Sequence, residues 1–246
     1  MMNPIIQSLF DRKSCRIFED KEISQEERKL ILEACMQAPS AGNQQMYTII
    51  DVQDQKLQET LSKTCDNQPF INQAKMVLIF CADFQKWYDL FNHENCNPRK
   101  PGVGDLLLAT TDATIAAQNA VVAAESLGIG SCYIGDILEQ HDIHKKLLNL
   151  SEYVVPVCML VLGYPAEDHF KRQKPKRCKL EDIICVDQYH RKDKQELKNM
   201  FEHKAVNKTL NEWATAFCNR KYNSDFSKEM TKSVQKYIDQ FKSEAD

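Results

Sequence analysis

Apolar residues recur along this chain first at helical spacing, then at strand spacing, and then at helical spacing again. Ser24-Gln25-Glu26-Glu27 reads as a capping box, and Leu30, Ile31, Ala34, Cys35 and Ala38 follow at helical spacing up to Pro39, predicting a helix over about 24–37. The turn-forming cluster "PSAGNQQ" (39–45) separates it from "MYTIIDV", a β-branched and aromatic run that predicts a strand. Asp54 caps a second, short helix carried by Leu57 and Leu61, and "CDNQP" breaks it. "MVLIFCAD" (76–83) is apolar almost throughout, the pattern of a strand buried on both faces.

The longest periodic stretch, 104–127, is Ala-rich, has no internal Gly or Pro after its first residue and is apolar on more than one face. It predicts a nearly buried central helix ended by Gly128. "GIGSCYIGD" (128–136) reads as a Gly-rich turn into a short strand, and "VVPVCMLVLGYP" (154–165) as another central strand, giving about four core strands. Helices alternating with strands point to an α/β or α+β sheet. From Phe170 the chain turns basic, and from about 188 it is charged, glycine-free and amphipathic, as at Val206, Leu210, Trp213 and Phe217. These tail helices have no second core of their own, so they are expected to pack on something larger.

A chain of 246 residues, 43% hydrophobic, is long enough for one large core. The net charge of −3 gives no global case for nucleic acid or an anionic membrane as partner. The first residues do not read as a signal peptide, and no run reads as membrane-spanning, so a cytoplasmic protein is expected. Ten cysteines are scattered without a CxxC, as reduced thiols serving mostly as small core hydrophobes. His141 and His144 lack a Cys or carboxylate at finger spacing, so no metal is expected.

The usual dinucleotide and nucleoside-triphosphate loops are absent, as are a GxSxG elbow and an HExxH pair, and the histidines fall in polar, charged stretches. Two basic clusters remain, Arg12/Lys13/Arg16 around Ser14, and Lys174/Lys176/Arg177 around Pro175. Each reads either as a solvated face or as part of a site for a phosphate dianion, which needs opposed cations and hydroxyl donors. Asn43, Gln45, Asn67 and Gln68 lie in loops, where amides either form turns or meet the edge of a planar heterocycle. Around Tyr133-Ile134-Gly135 the glycine either ends a strand or lets the backbone approach a ligand.

Taken in order, the R-K-S-C-R run, "APSAGNQQ", "NQPFINQAKMVLIFCAD", "AAQNAVVAAESLGIGSCYIGD", "LGYPAED" and "KPKR" resemble the nitroreductase superfamily, and most closely its NADPH-dependent, oxygen-insensitive nitroreductases and flavin reductases. The resemblance spans roughly residues 5–190. It implies an α+β nitroreductase-like fold, a central and mainly antiparallel sheet flanked by helices. It further implies a domain-swapped homodimer with FMN at the interface, an FMN-binding domain over 1–190, and a helical C-terminal extension over 191–246 that packs on the dimer.

By the same resemblance Arg12, Lys13, Ser14 and Arg16 match the N-terminal FMN motif, with Arg12 and Ser14 toward the phosphate and Arg16 toward the ribityl chain and pyrimidine edge. Ser40 and Gln45 match the loop after the first helix, Gln68 an amide on the flavin pyrimidine, and Tyr133, Ile134 and Gly135 the backbone beside N5 and O4. Lys174 and Lys176 match a Lys-Pro-Arg over the phosphate, with Arg177 one place later than the family's arginine. Asp136 stands where glycine is frequent, and a carboxylate there could tune substrate choice. The implied activity is two-electron, ping-pong transfer from NADPH, or NADH, through FMN to nitroaromatic, quinone or flavin acceptors, with no catalytic side chain and Arg16 offsetting negative charge on the ring. The tail around Arg220 and Lys221 is the expected place for the NADPH 2′-phosphate, or else a solvated helix face. Two other readings stay open: the same cofactor with an enone, disulfide or halogenated aromatic acceptor, and a non-enzymatic binder of an acidic protein or RNA.

Overall fold

The computed structural model describes residues 2–242. The elements run α1 (Pro4–Asp11), α2 (Gln25–Met36), β1 (Tyr47–Val52), α3 (Gln55–Thr64), α4 (Pro69–Gln73), β2 (Met76–Asp83), α5 (Gln85–His93), α6 (Val103–Ser126) and β3 (Gly130–Ile134). Then follow α7 (His141–Leu147), β4 (Val154–Gly163), α8 (Glu167–Lys171), α9 (Leu180–Ile183), α10 (Lys194–Phe201), α11 (Leu210–Lys221) and α12 (Asp225–Asp239). They form two compact units: the first ends at Gln173 and resumes at Glu229, and the second is Lys174–Lys228.

The first unit is built on a four-stranded sheet in the order β1-β2-β4-β3, antiparallel at every pairing. Both faces are covered, which is why β2 is buried along its whole length. Leu78, Phe80, Leu160 and Leu162 face Ile31 and Cys35 of α2 and the alanine stripe of α6, while Val77, Ile79, Met159 and Val161 face Leu61 of α3 and Ile71 of α4. Pro156 is tolerated inside β4 because it lies at a register shift and beyond the residues that β3 pairs.

Local signals in the sequence are realised as expected at several points. Ser24 and Glu27 close a reciprocal capping box on α2, and Asp54 caps α3 through Leu57 N–H. α6 differs from its expectation of near-complete burial. Its alanines at 109, 113, 116, 117, 120 and 124 are buried, yet Leu107 and Leu108 are 63% and 51% exposed. α6 is also long and apolar enough, by length and composition, to cross a membrane, contrary to the sequence reading; here its alanine face packs on the sheet.

The last helix returns to the first unit. Tyr237 and Phe241 are buried with Met46, Tyr153 and Val155, and Tyr153 meets the Phe241 ring edge-on at 5.3 Å. The amphipathic stripe of this tail helix thus finds its cover on its own chain. In the second unit, Trp213 stacks between Phe201 and Phe217, at 6.3 and 5.2 Å. Leu180, Ile183, Ile184, Val186 and Val206 of that unit are exposed.

Candidate functional site

The segment from Arg12 to Glu19 leaves α1 and lies along the ends of β3 and β4. Cys15 N–H donates to the Ser131 carbonyl (2.9 Å), Glu19 N–H to Tyr164 (2.8 Å) and Ala166 N–H to Ile17 (3.0 Å), with Phe18 bridged to Pro165. Two glycines admit it. A Cβ on Gly130 would stand 2.7 Å from Cys15 Cβ, and one on Gly163 would stand 2.7 Å from the Phe18 ring. The strap therefore has one seat, and its cations are held in place by the sheet.

Arg12 Nε and Nη2 are buried without a hydrogen-bond partner, as is the nearby strand's Ser131 hydroxyl. Buried guanidinium N–H groups without acceptors are costly, and an anionic ligand is what they fit. Burial raises the Cys132 thiol above its ordinary value, while Arg16, a Ser14 hydrogen bond and Arg12 pull it back, which places those three side chains around one point of β3. Arg16 is exposed and stands 5.7 Å over the Phe70 ring. Lys13 is differently engaged: its ammonium donates to the carbonyls of Phe170 and Arg172 at the end of α8.

Gln68 lies at the start of α4, after Asp66 and Asn67, which both take positive φ. Its Nε2 donates to the Cys65 carbonyl (2.9 Å) and to Asp136 Oδ2 (3.1 Å). Asp136 follows Tyr133-Ile134-Gly135, so this bond ties the amide loop to the end of β3. Tyr133 donates from its hydroxyl to Gln118 Oε1 (3.3 Å), and burial raises its phenol. Next along the chain, Glu139 is 5% exposed with Oε1 unpartnered. Burial, then the charges of Asp136, Glu229 and Asp66, push its carboxyl up to about 7. His144 is fully buried between the Ile137 carbonyl (2.9 Å) and the Thr64 hydroxyl (2.8 Å), and burial depresses its pKa. His141 and His169 are buried as well, so three histidines in polar sequence surroundings are core residues, because neighbouring elements close over them.

Ser40 and Gln45 belong to a loop fixed from α6 and α5. Asp112, 2% exposed, accepts from Ala41 N–H (3.0 Å) and Met46 N–H (3.2 Å), and Trp87 donates to the Gln44 carbonyl (2.9 Å). Gln45 N–H donates to Ser40 Oγ (3.0 Å), and Gly42, Asn43 and Gln45 all take positive φ. Lys174, Lys176 and Arg177 open the second unit, the first half-buried and the others exposed. In the same unit Arg220 lies 5.5 Å over the Phe217 ring.

The structure thus gathers Arg12, Ser14, Arg16, Gln68 and Tyr133-Ile134-Gly135 around one end of β3. Sequence reasoning missed Asp112, which holds the Ser40/Gln45 loop, and two buried groups near β3 without a partner, the Ser131 hydroxyl and Glu139 Oε1. A polar residue inside an alanine-rich helix was the one available signal for Asp112.

The nitroreductase family model matches residues 9–164. FMN reductase [NAD(P)H] of Bacillus subtilis (strain 168) is 38% identical over 179 residues, covering 70% of each chain. The oxygen-insensitive NADPH nitroreductase of Salmonella typhimurium is 33% identical over 205 residues, 83% of this chain and 82% of its own. Among solved structures, NfrA2 of B. megaterium superposes with a TM-score of 0.84 at 30% identity, over 99% of this chain and all (100%) of its own.

Proposed function

The chain belongs to the nitroreductase family, and from that premise we propose that it is an FMN-dependent NAD(P)H oxidoreductase with Arg12, Ser14, Arg16, Gln68 and the 133–135 backbone holding the flavin. The observation that carries this reading is the buried, unpartnered Arg12 guanidinium on a strap that two glycines fix in place. Bound FMN supplies hydride acceptance and donation at N5, so one cofactor serves NADPH, or NADH, and then a nitroaromatic, quinone or flavin acceptor.

The protein's own residues bind and orient. Arg12, with Ser14, takes the phosphate; a guanidinium offers paired N–H donors at fixed charge. Arg16, exposed and braced on Phe70, offsets negative charge at the pyrimidine edge, a role for which a cation loses nothing by facing the ring. Gln68 holds the pyrimidine by hydrogen bonding, and Gly135, with nothing within 4 Å of a built Cβ, leaves the strand end open to a ring. Lys13 contributes by pinning the end of α8 rather than by contact with the phosphate. Ser40 and Gln45 form the other flavin-facing loop, and Lys174, Lys176 and Arg177 add cations for the phosphate; for these the support is resemblance in sequence.

The working form is a homodimer, with the helical segment from 191 onward as an extension of the 1–190 domain; residues 1 and 243–246 of that division lie outside the described residues. Its support is uncovered apolar surface: α1 buries no residue and exposes Ile5, Ile6 and Phe10, and α6 exposes Leu107 and Leu108. β1 pairs on one side only, and a groove of about 610 Å³ runs beside it past Leu32, Met36, Tyr47 and Ile49. The protein acts in the cytoplasm, a setting that suits ten free cysteines.

The test is the colour of the purified protein and its response to mutation. Absorbance near 450 nm, as-purified or on adding FMN, is expected. Arg16→Ala should weaken FMN retention more than Lys21→Ala, whose ammonium lies instead over the Tyr164 ring at 3.4 Å. A colourless protein that takes up no FMN would sink the reading; equal losses from the two variants would reduce the motif to surface charge.

A further inference from the structure

Asp136 and Gln68 are 68 residues apart and joined by one hydrogen bond, Nε2 to Oδ2 at 3.1 Å. The second Nε2 donor goes to the Cys65 carbonyl at 2.9 Å. Both partners are acceptors that cannot donate. Turning the amide over would set its carbonyl oxygen against a carboxylate oxygen and a backbone carbonyl, leaving three acceptors facing one another without a proton. The main chain beneath it is anchored as well, with Gln68 N–H donating to the Ser62 carbonyl (2.8 Å) and Ile71 N–H to the Gln68 carbonyl (3.1 Å). The amide therefore has one orientation, with Oε1 as the end available to a ligand.

Resting on the flavin reading above, we infer that Asp136 is a positioning residue that locks Gln68 as a hydrogen-bond acceptor, so that this edge of the site selects a ring imide N–H rather than a ring carbonyl. The isoalloxazine pyrimidine carries one such group, N3–H, between two carbonyls. An acceptor aimed at N3–H leaves those carbonyls to donors, and Arg16, over Phe70 of the same helix, is the nearby cation that supplies them. Glycine in place of Asp136 would leave Gln68 Nε2 with the Cys65 carbonyl as its acceptor, and so weaken the bias against the turned amide. The carboxylate thus acts on cofactor recognition through the amide, without touching the ring.

A double-mutant cycle on the full-length protein reads this directly, with FMN affinity measured by quenching of flavin fluorescence and folding checked by circular dichroism. Gln68→Leu should weaken FMN by roughly tenfold or more and Asp136→Ala by roughly threefold to tenfold, the range for a lost buried hydrogen bond. In the Gln68→Leu background, Asp136→Ala should add less than about twofold, because its effect runs through the missing amide. Asp136→Asn retains an acceptor and should recover most of the wild-type affinity. With ¹⁵N-labelled FMN, the bound N3–H proton should lie downfield of free FMN and move back in both Gln68→Leu and Asp136→Ala. Multiplicative losses in the cycle, or an N3–H resonance unmoved by Asp136→Ala, would overturn the inference while leaving the flavin reading intact. Absence of quenching by the unmodified protein would overturn the flavin reading, and this inference with it.

Discussion

Glu139 shows how one buried carboxyl makes the stability of the fold depend on pH. Its folded pKa of about 7 lies above the ordinary carboxylate value because burial and the neighbouring Asp136, Glu229 and Asp66 disfavour a further negative charge there. A raised folded pKa means that its contribution to stability is complete at low pH, declines once the unfolded chain ionises, and is lost as pH rises through about 7. Glu139→Gln, neutral at every pH, should therefore melt above the wild type at pH 8 by roughly 5 °C or more, with the gap closing at pH 5. His144 acts in the opposite sense: its depressed pKa makes the fold lose stability as pH falls below the ordinary histidine range. Melting curves at pH 5 and pH 8 check both; a variant and wild type that differ equally at the two pH values would refute the Glu139 assignment.

Among the elements, the strap 12–19 is the one on which the site depends. It has no regular structure of its own, and its register comes from three backbone hydrogen bonds and the two glycines opposite Cys15 and Phe18. Gly163→Ala drives a methyl group into the Phe18 ring, and the strap must shift to admit it. The expected cost is about 1–3 kcal/mol of stability, with a parallel loss of FMN affinity because Arg12, Ser14 and Arg16 move with the strap. Denaturant unfolding and flavin titration of the same preparation measure the two; loss of stability with FMN affinity unchanged would show that the strap does not carry the phosphate site. The elements read well from sequence were those with local punctuation, such as α2 with its Ser24/Glu27 box. α5 was not legible: Phe84 precedes it and offers no capping side chain, so nothing local marks its start.

At the scale of the whole molecule, the apolar residues left uncovered by this chain point to assembly. α1 presents Ile6 and Phe10 at 47% and 64% exposure and buries none of its own residues. On the homodimer proposed above, with FMN at its interface, replacing both with glutamate should give monomers in light scattering and release FMN in the same step. Monomeric protein that keeps its flavin would place the cofactor within a single chain. The tail divides on the same principle: Tyr237 and Phe241 are covered by this chain's own core, whereas Leu180, Ile183 and Val186 of the second unit are exposed.

The amino-acid sequence alone determined the strands, the capped helices and the order of the cation, amide and glycine motifs, because each depends on residues within a turn or two of one another. It also carried the family, through those motifs in series. Only the tertiary structure decided that Lys13 serves α8, that Asp112 holds the loop of Ser40 and Gln45, and that Asp136 accepts from the Gln68 amide. These are bonds between residues some 68 to 159 positions apart. A carboxylate's or ammonium's task is set by which partner the fold brings within hydrogen-bond reach, and no local periodicity encodes that distance.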